Sequence, residues 1–168
     1  MAITIRLFSL EQWQDFRTIR LMQLKQDGHL FYRTHDWSAA QPESYWRDML
    51  MRKDEAVWGV YDDAQLIGMT GIYVRDEDRT TATLWGSWLR PDYRGRGLSD
   101  LLYRTRIDWA TAHPTVTRII TSHKGTNAPS QRANQRHGFV YTHTTERVWG
   151  DGSTEDEPFY ELRLPPKI

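Results

Sequence analysis

Ten consecutive residues in the middle of the chain combine arginines and glycines in a spacing suited to phosphate binding. Residues 90–99 read Arg-Pro-Asp-Tyr-Arg-Gly-Arg-Gly-Leu-Ser. Gly95 and Gly97 lack a Cβ atom, so the backbone can curl and approach an anion closely. The guanidinium groups of Arg94 and Arg96 can each bind two phosphate oxygens. These residue types predict a site for a phosphate or a pyrophosphate.

The segments on either side would place this turn at the start of a helix. A strand-like run, residues 83–89, precedes the turn, and a helix-like run, residues 98–112, follows it. The first N–H groups of a helix have no partner inside the helix, and the helix dipole is positive at that end. The order of strand, glycine turn and helix therefore predicts an anion site built largely from backbone N–H groups.

Two other glycine-rich phosphate motifs do not match this spacing. A P-loop needs four residues between its glycines, followed by Gly-Lys-Ser/Thr, and neither feature is present here. A dinucleotide fingerprint needs a third glycine at position 100, where Asp100 would instead repel a pyrophosphate. On this segment alone, a surface turn that happens to contain Arg and Gly stays open as an alternative.

A second segment, residues 127–139, has the signals of a short helix that leads into a strand. Asn127 is a good N-cap, Pro129 suits the first turn, and Gly138 suits the position just past the helix end. Phe139 then begins the strand. This segment follows another strand-like run, residues 118–122, so it predicts a further strand–helix–strand arrangement.

Together, the two segments resemble the GNAT acetyltransferase superfamily. Residues 94–99 are similar to its Arg-x-x-Gly-x-Gly/Ala turn, with Ser in the last small-residue position. The second segment has the family's layout, which places an Asn, two small residues and a Gly-Phe pair at fixed intervals; here these are Asn127, Ser130, Ala133, Gly138 and Phe139. Two motifs in the correct order are more specific than either alone. The resemblance spans roughly residues 50–145.

The pattern of elements predicts an α/β fold. We expect a single-domain GNAT-like fold with a mixed, mostly antiparallel sheet of about seven strands flanked by helices. The run before the glycine turn and residues 118–122 are joined by a helix, so they should form a central parallel pair. The predicted strands are residues 3–8, 56–61, 65–74, a strand ending at 89, 118–122, 139–148 and 158–164; the predicted helices are 10–24, 42–52, 98–112 and 127–137, with a loop over 26–40.

Composition limits the function classes. The 168 residues carry a formal net charge of zero, so a general nucleic-acid-binding surface is not expected. There is no run of eighteen apolar residues and no signal-peptide pattern at the start. We therefore expect one domain over residues 1–168, a cytoplasmic location and no membrane partner.

The absence of cysteine excludes disulfides, thiolate metal sites and every cysteine acyl-enzyme mechanism. The six histidines show no metal-ligand spacing, so no metal site is predicted. There is also no Gly-x-Ser-x-Gly elbow, so a hydrolase triad has no support.

The resemblance implies direct transfer of an acetyl group from acetyl-CoA to a primary amine through a ternary complex. It places the pyrophosphate on the glycine turn and the pantetheine arm along the end of the preceding strand, near Asn127. The residues that it assigns to cofactor binding are Trp88, Leu89, Arg90, Arg94, Gly95, Arg96, Gly97, Leu98, Ser99, Asn127, Ser130 and Asn134. Backbone N–H groups near Leu89 would polarise the thioester carbonyl.

The acid and the base are less clearly assigned. Many GNAT enzymes have a Tyr acid where this chain has Asn134, and a Glu base on the strand before the turn, where residues 81–89 hold no carboxylate. An amide can donate a hydrogen bond to the leaving sulfur but supplies no proton. His123 is the best-placed titratable group for proton transfer. A surface-loop histidine, a water relay and thiolate release without an acid stay open as alternatives.

These departures keep a second function class open, which is a non-catalytic acyl-CoA binding or sensing module on the same fold. A nucleotide-binding enzyme that uses the same turn is a more distant alternative. The acceptor amine has no signature, and a monomer and a homodimer are both compatible with the sequence. An acidic loop, residues 151–157, would favour a cationic amine if it flanked the acceptor, although a solvated hairpin tip explains it equally.

Overall fold

Seven strands and five helices make up the computed structural model, which describes residues 2–167. The strands are β1 (Ile3–Leu7), β2 (Glu55–Asp62), β3 (Gln65–Val74), β4 (Thr81–Leu89), β5 (Arg118–Ser122), β6 (Val140–Val148) and β7 (Thr154–Arg163). The helices are α1 (Trp13–Asp27), α2 (His35–Ala39), α3 (Glu43–Met51), α4 (Ser99–Ala112) and α5 (Ala128–Arg136). None of the helices in this described range is long and apolar enough to cross a membrane.

The strands form one mixed sheet in the order β1-β2-β3-β4-β5-β7-β6. β4 and β5 run parallel, and every other neighbouring pair is antiparallel. The parallel pair follows from the connection through α4, since a strand–helix–strand crossover returns the chain in the same direction. The predicted fold class, an α/β sheet of seven strands with a central parallel pair, is confirmed.

Each face of the sheet is covered by helices. On one face α1 and α3 bury Phe16, Ile19 and Trp46 against Met69 and Trp88 of the central strands. Deleting an aromatic side chain from such a site costs about 3–5 kcal/mol, so this face is a main source of stability. It also fixes α1 beside β4, which matters for the site described below.

The opposite face is packed by α4 and α5. Tyr103 and Ala110 of α4 lie on Ile72 and Ile119, and Phe139 joins the same cluster just after α5. The ring of Tyr103 stacks on His137 at the end of α5, with centroids 4.0 Å apart. The two helices that carry the sequence motifs therefore lie side by side on one face.

The loop predicted over residues 26–40 is partly helical. α1 begins at Trp13, after a short 3-10 turn, and continues to Asp27, and α2 occupies His35–Ala39. The Thr34 hydroxyl accepts a hydrogen bond from the Trp37 N–H at 3.1 Å, which caps α2. The sequence analysis missed α2 because a five-residue helix is too short to show an apolar period.

Candidate active site

The parallel strands separate soon after they pair. β4 and β5 are in register only from Thr81–Arg118 to Thr83–Ile120. Beyond that point β4 continues along β3, while β5 continues along β7. The hydroxyl of Thr83, at the last paired position, is buried and has no hydrogen-bond partner among residues 2–167. An opening therefore lies between the carboxyl ends of the two central strands.

A β-bulge shapes β4 at this opening. Met69 of β3 pairs with Trp88, and Gly71 pairs with Trp85, so two residues of β4 face a single residue of β3. One of the two is Gly86, which has a φ of 69° that an L side chain rarely adopts. Its carbonyl accepts a hydrogen bond from Nε2 of Gln23 on α1 at 3.0 Å. The bulge therefore brings β4 close to α1.

The glycine turn has the geometry that its residues predict. Gly95 and Gly97 have φ values of 72° and 76°, and both lie in open space. Within residues 2–167, the N–H groups of Gly95, Gly97, Leu98 and Ser99 donate to no protein acceptor. They precede α4, whose dipole is positive at this end. These free N–H groups and the open space beside them fit a pyrophosphate.

The side chain of Arg94 is engaged inside the protein. Its Nη2 donates to Oδ2 of Asp27 at the end of α1 over 2.6 Å, and its Nε donates to the Leu89 carbonyl over 2.9 Å. Burial alone would raise the pKa of Asp27, but hydrogen bonds from Trp88 and Arg94 bring that pKa below its usual value. Arg94 thus joins the glycine turn to α1 and β4. The sequence predicts that this guanidinium binds a phosphate, and no local pattern indicates its contact with Asp27.

The remaining residues around the turn also have protein partners. The Trp88 indole donates to Asp27 over 2.7 Å, and the Arg90 N–H donates to the Ile67 carbonyl over 2.8 Å. The Arg96 guanidinium lies over the Tyr93 ring, 5.1 Å from its centroid. The side chains of Trp88 and Arg96 and the main-chain N–H of Arg90 are therefore engaged within the protein.

The N-terminus of α4 and the C-terminal end of α5 are joined through their side chains. Nη2 of Arg136, in α5, donates to the Ser99 hydroxyl over 2.7 Å. Asn127 caps α5 as its position predicts, because its Oδ1 accepts from the Ser130 N–H at 3.3 Å. The side chain of Asn127 therefore has a structural partner at the N-terminus of α5, the opposite end of that helix from Arg136.

Asn134 lies in α5 with only 2% of its surface exposed. Its Oδ1 accepts a hydrogen bond from the hydroxyl of Tyr103 on α4 over 2.5 Å. Burial raises the pKa of Tyr103, so its hydroxyl stays protonated at neutral pH. Because Oδ1 is occupied, the Nδ2 group is what Asn134 can offer to another molecule. No local pattern in the sequence indicates that Tyr103 reaches this position.

His123 follows β5 and is 6% exposed. Its Nδ1 lies 2.7 Å from the Lys124 carbonyl, which can only accept, so Nδ1 carries the hydrogen. Nε2 is then an unprotonated nitrogen, and it is buried without a hydrogen-bond partner in the described part of the chain. Burial lowers the pKa of His123, although its bond to the Lys124 carbonyl acts in the opposite direction. The ring is therefore neutral at pH 7.

The predicted acidic loop is shorter than expected, because β7 begins at Thr154, and Lys124, which follows β5, neutralises two of its predicted carboxylates. Nζ of Lys124, a residue that is 3% exposed, lies 2.9 Å from Asp151 and 3.0 Å from Glu155. The same ammonium donates to the carbonyl of His29 over 2.8 Å. These carboxylates therefore do not form a free acidic rim. Among residues 2–167, no group of three His, Asp or Glu side chains could hold a metal ion.

Comparison with known proteins assigns the family. The model of the acetyltransferase (GNAT) family matches residues 13–139, which include the bulged strand, the glycine turn and both motif helices. The chain belongs to the GNAT acetyltransferase family. Its predicted membership is thereby confirmed, and it is an acetyltransferase. A search of curated proteins finds no match to this chain.

Solved structures share the fold of this GNAT protein at low sequence identity. A GNAT acetyltransferase from Streptococcus pneumoniae is 18% identical, with a TM-score of 0.79 over 97% of this chain and 100% of that one. Arabidopsis thaliana NAA60 in complex with acetyl-CoA is 13% identical, with a TM-score of 0.76 over 97% and 99%. A Salmonella typhimurium acetyl transferase that modifies the N-terminal serine of ribosomal protein L7/L12 is 11% identical, with a TM-score of 0.76 over 98% and 96%.

Proposed function

We propose that this GNAT acetyltransferase moves an acetyl group from acetyl-CoA directly to a primary amine in a ternary complex. The observation that carries the proposal is the glycine turn, whose free N–H groups precede α4 beside the opening between β4 and β5. The structural neighbour NAA60 is a complex with acetyl-CoA, which supports the same cofactor here. Direct transfer is supported by the absence of cysteine from the chain.

The residues of the turn would bind the pyrophosphate of acetyl-CoA, which supplies the acetyl thioester. The N–H groups of residues 95–99 would receive the phosphate oxygens at the positive end of α4. The main chain of Trp88 and Leu89 would bind the pantetheine arm and direct an N–H at the thioester carbonyl. Such a donor accelerates transfer because it binds the developing oxyanion more strongly than the ground-state carbonyl.

Two protons must also move. A lysine-type amine titrates at about 10.4, so it must lose a proton before it attacks. We assign this role to Nε2 of His123, acting directly or through a water, because it is unprotonated at neutral pH and has no protein partner. Asn134 would direct Nδ2 at the leaving sulfur and stabilise the thiolate, whose proton then comes from water.

Calorimetric titration with acetyl-CoA, beside ATP and NAD as controls, tests the first part of this proposal. Saturable binding of acetyl-CoA alone is expected, whereas competition by ATP or NAD would point to a nucleotide enzyme. Failure of the folded protein to bind acetyl-CoA would overturn the assignment.

Release of free thiol in the presence of amines tests the second part. The panel should include small amines and a peptide with an N-terminal serine, the group that the Salmonella relative modifies. Thiol release that requires an amine supports transfer. Binding of acetyl-CoA without thiol release from any amine would instead support an acyl-CoA sensor.

A further inference from the structure

Arg20 is a cation of α1 without an anionic partner. Its Nη1 donates to Oε1 of Gln23 over 2.5 Å. Within residues 2–167, no carboxylate forms an ion pair with it, and no second acceptor receives its remaining N–H groups. A guanidinium carries five donors in a planar fork. Four of its five N–H donors therefore have no acceptor within residues 2–167.

The surroundings of Arg20 are aromatic. Its guanidinium carbon lies 5.6 Å from the centroid of the Phe31 ring and 5.4 Å from that of Trp85. Burial lowers the pKa of Arg20 to about 10, so the group stays charged at neutral pH. A desolvated charge is costly unless it is paired. The residue is half-buried overall, and none of its nitrogens is among the fully enclosed polar atoms that lack a partner in the described part of the chain.

Arg20 is held next to the bulge of β4. Gln23, which is fully buried, binds both Arg20 and the Gly86 carbonyl. Nη1 lies 3.7 Å from the position that a Cβ atom would occupy on Gly86. Gly86 stands just before the end of β4, where the thioester is proposed to bind. The free side of the guanidinium therefore lies close to the place where an acceptor must bring its amine.

The other charged side chains near Arg20 either are positive, as Arg20 is, or are carboxylates already paired with another cation. Arg33 is exposed over the Trp37 ring at 4.1 Å, lacks a carboxylate partner within the described range, and repels Arg20. Asp151 and Glu155, two carboxylates of the neighbouring hairpin, are bound by Lys124, and a third, Glu157, is paired with Arg147. The acceptor side therefore presents unpaired positive charge, and an anionic group would be attracted to it.

We propose that Arg20 binds a carboxylate of the acceptor, so that the acetylated amine belongs to a molecule that also carries a carboxylate, as a free amino acid does. The inference rests on the proposed function and names the class of its substrate. A carboxylate matches the fork of the guanidinium through two parallel hydrogen bonds. The aromatic rings beside Arg20 favour an acceptor with an apolar side chain. The proposed acceptor therefore carries a carboxylate beside its amine, whereas an acidic loop at residues 151–157 would have favoured an acceptor with positive charge alone.

The experiment is a calorimetric titration of the CoA-saturated protein with phenylalanine, phenylalaninamide and phenethylamine, which share one ring and one amine. Alanine and glutamate extend the carboxylate series. Arg20→Gln removes the cation, and Arg17→Gln makes the same change on the same helix, at a residue whose guanidinium bonds to the Ala39 carbonyl and to no other group of residues 2–167. Thermal melting of both variants establishes that they are folded.

The carboxylates should bind roughly tenfold or more tightly than the amide and the amine, the difference expected from a hydrogen bond to a charged group. Arg20→Gln should abolish this preference, and Arg17→Gln should retain it. Equal affinity for phenylalanine and its amide, retention of the preference in a folded Arg20→Gln, or failure of every carboxylate to bind would overturn the inference. Turnover of amines that lack a carboxylate would in those cases leave the proposed acetyl transfer intact, whereas failure to bind acetyl-CoA would overturn that function itself.

Discussion

The hydroxyl of Tyr103 on α4 donates a hydrogen bond to Oδ1 of Asn134 on α5. Asn134 occupies the position at which many GNAT enzymes have a tyrosine, and here a tyrosine hydroxyl reaches that position from the neighbouring helix. Both side chains are buried. The pair therefore has a structural role, and the proposed mechanism uses the remaining polar group of Asn134, its amide nitrogen, to stabilise the leaving sulfur.

Substitution Asn134→Ala should reduce turnover by less than about tenfold, because an amide stabilises the thiolate without transferring a proton. The measurement is the rate of thiol release at saturating acetyl-CoA. Tyr103→Phe is the companion variant, and it should lower the free energy of unfolding by about 1–3 kcal/mol, since it leaves Oδ1 without its donor. A loss of turnover of about a hundredfold or more in a folded Asn134→Ala would show that proton transfer passes through this residue.

Gly97→Ala should weaken acetyl-CoA binding more than it destabilises the fold. The added methyl group meets no protein atom, but the φ of 76° is strained for alanine, so the turn and its N–H groups must shift. Gly152→Ala is a matched control, because Gly152 also has a positive φ of 81° and open space, and it lies in the β6–β7 connection. Both variants should lose about 1 kcal/mol of stability, as measured by denaturant unfolding.

Only Gly97→Ala should raise the dissociation constant of acetyl-CoA in calorimetry. An unchanged constant in that variant, or an equal rise in both, would show that the turn does not bind the pyrophosphate.

Arg94→Ala should weaken acetyl-CoA binding through Asp27. Asp27→Asn removes the charge from the same contact while keeping an oxygen that can accept from the Trp88 indole. Because Arg94 is largely exposed, each single variant should raise the dissociation constant only about two- to fivefold. The double variant should be no worse than either single one, since both remove one interaction. If the effects of the two substitutions on the dissociation constant add, Arg94 contacts the cofactor itself. If neither substitution changes the dissociation constant, Arg94 supports acetyl-CoA binding neither through Asp27 nor directly.

His123 should make stability depend on pH in the mildly acidic range. Its pKa in the folded protein lies below the unfolded value of about 6.5, because burial disfavours the charged ring. The unfolded chain then binds the proton first, so stability that is present above about pH 6.5 is lost as the pH falls towards the folded pKa. Melting temperatures of the wild type and His123→Gln, recorded between about pH 5 and pH 8, measure this contribution.

The advantage of the wild type over His123→Gln should shrink as the pH is lowered. A constant difference across the whole range would show that His123 titrates alike in the folded and unfolded chain, and would weaken its assignment as a base.

The parts of the site that the sequence predicts are those with local signals. Positive φ at Gly95 and Gly97, the cap at Asn127 and the end of α5 at Gly138 each depend on a few neighbouring residues. The parallel pair also followed, because its connection through one helix allows few arrangements.

The parts that the sequence did not predict depend on residues distant along the chain. Nothing near Lys124 indicates that its ammonium reaches the His29 carbonyl. The sequence likewise does not show that Arg20 lacks a carboxylate partner within residues 2–167. That property depends on the positions of all the acidic side chains in the folded protein. Such pairings are set by packing of the whole sheet and its helices, and no local pattern encodes them.

The buried ammonium of Lys124 has a consequence for motion. It ties the carbonyl of His29 to the carboxylates of the β6–β7 hairpin, and the Gly150 N–H adds a 2.9 Å bond to the Phe31 carbonyl nearby. The segment around His29 and Phe31 cannot move away without breaking its contacts with the β6–β7 hairpin, and the reverse also holds. The two segments therefore belong to one cooperative unit. An acceptor bound beside Arg20 and Phe31, as proposed, would therefore exchange with its product either through a passage that leaves this crosslink closed or after the complete, simultaneous release of the crosslink.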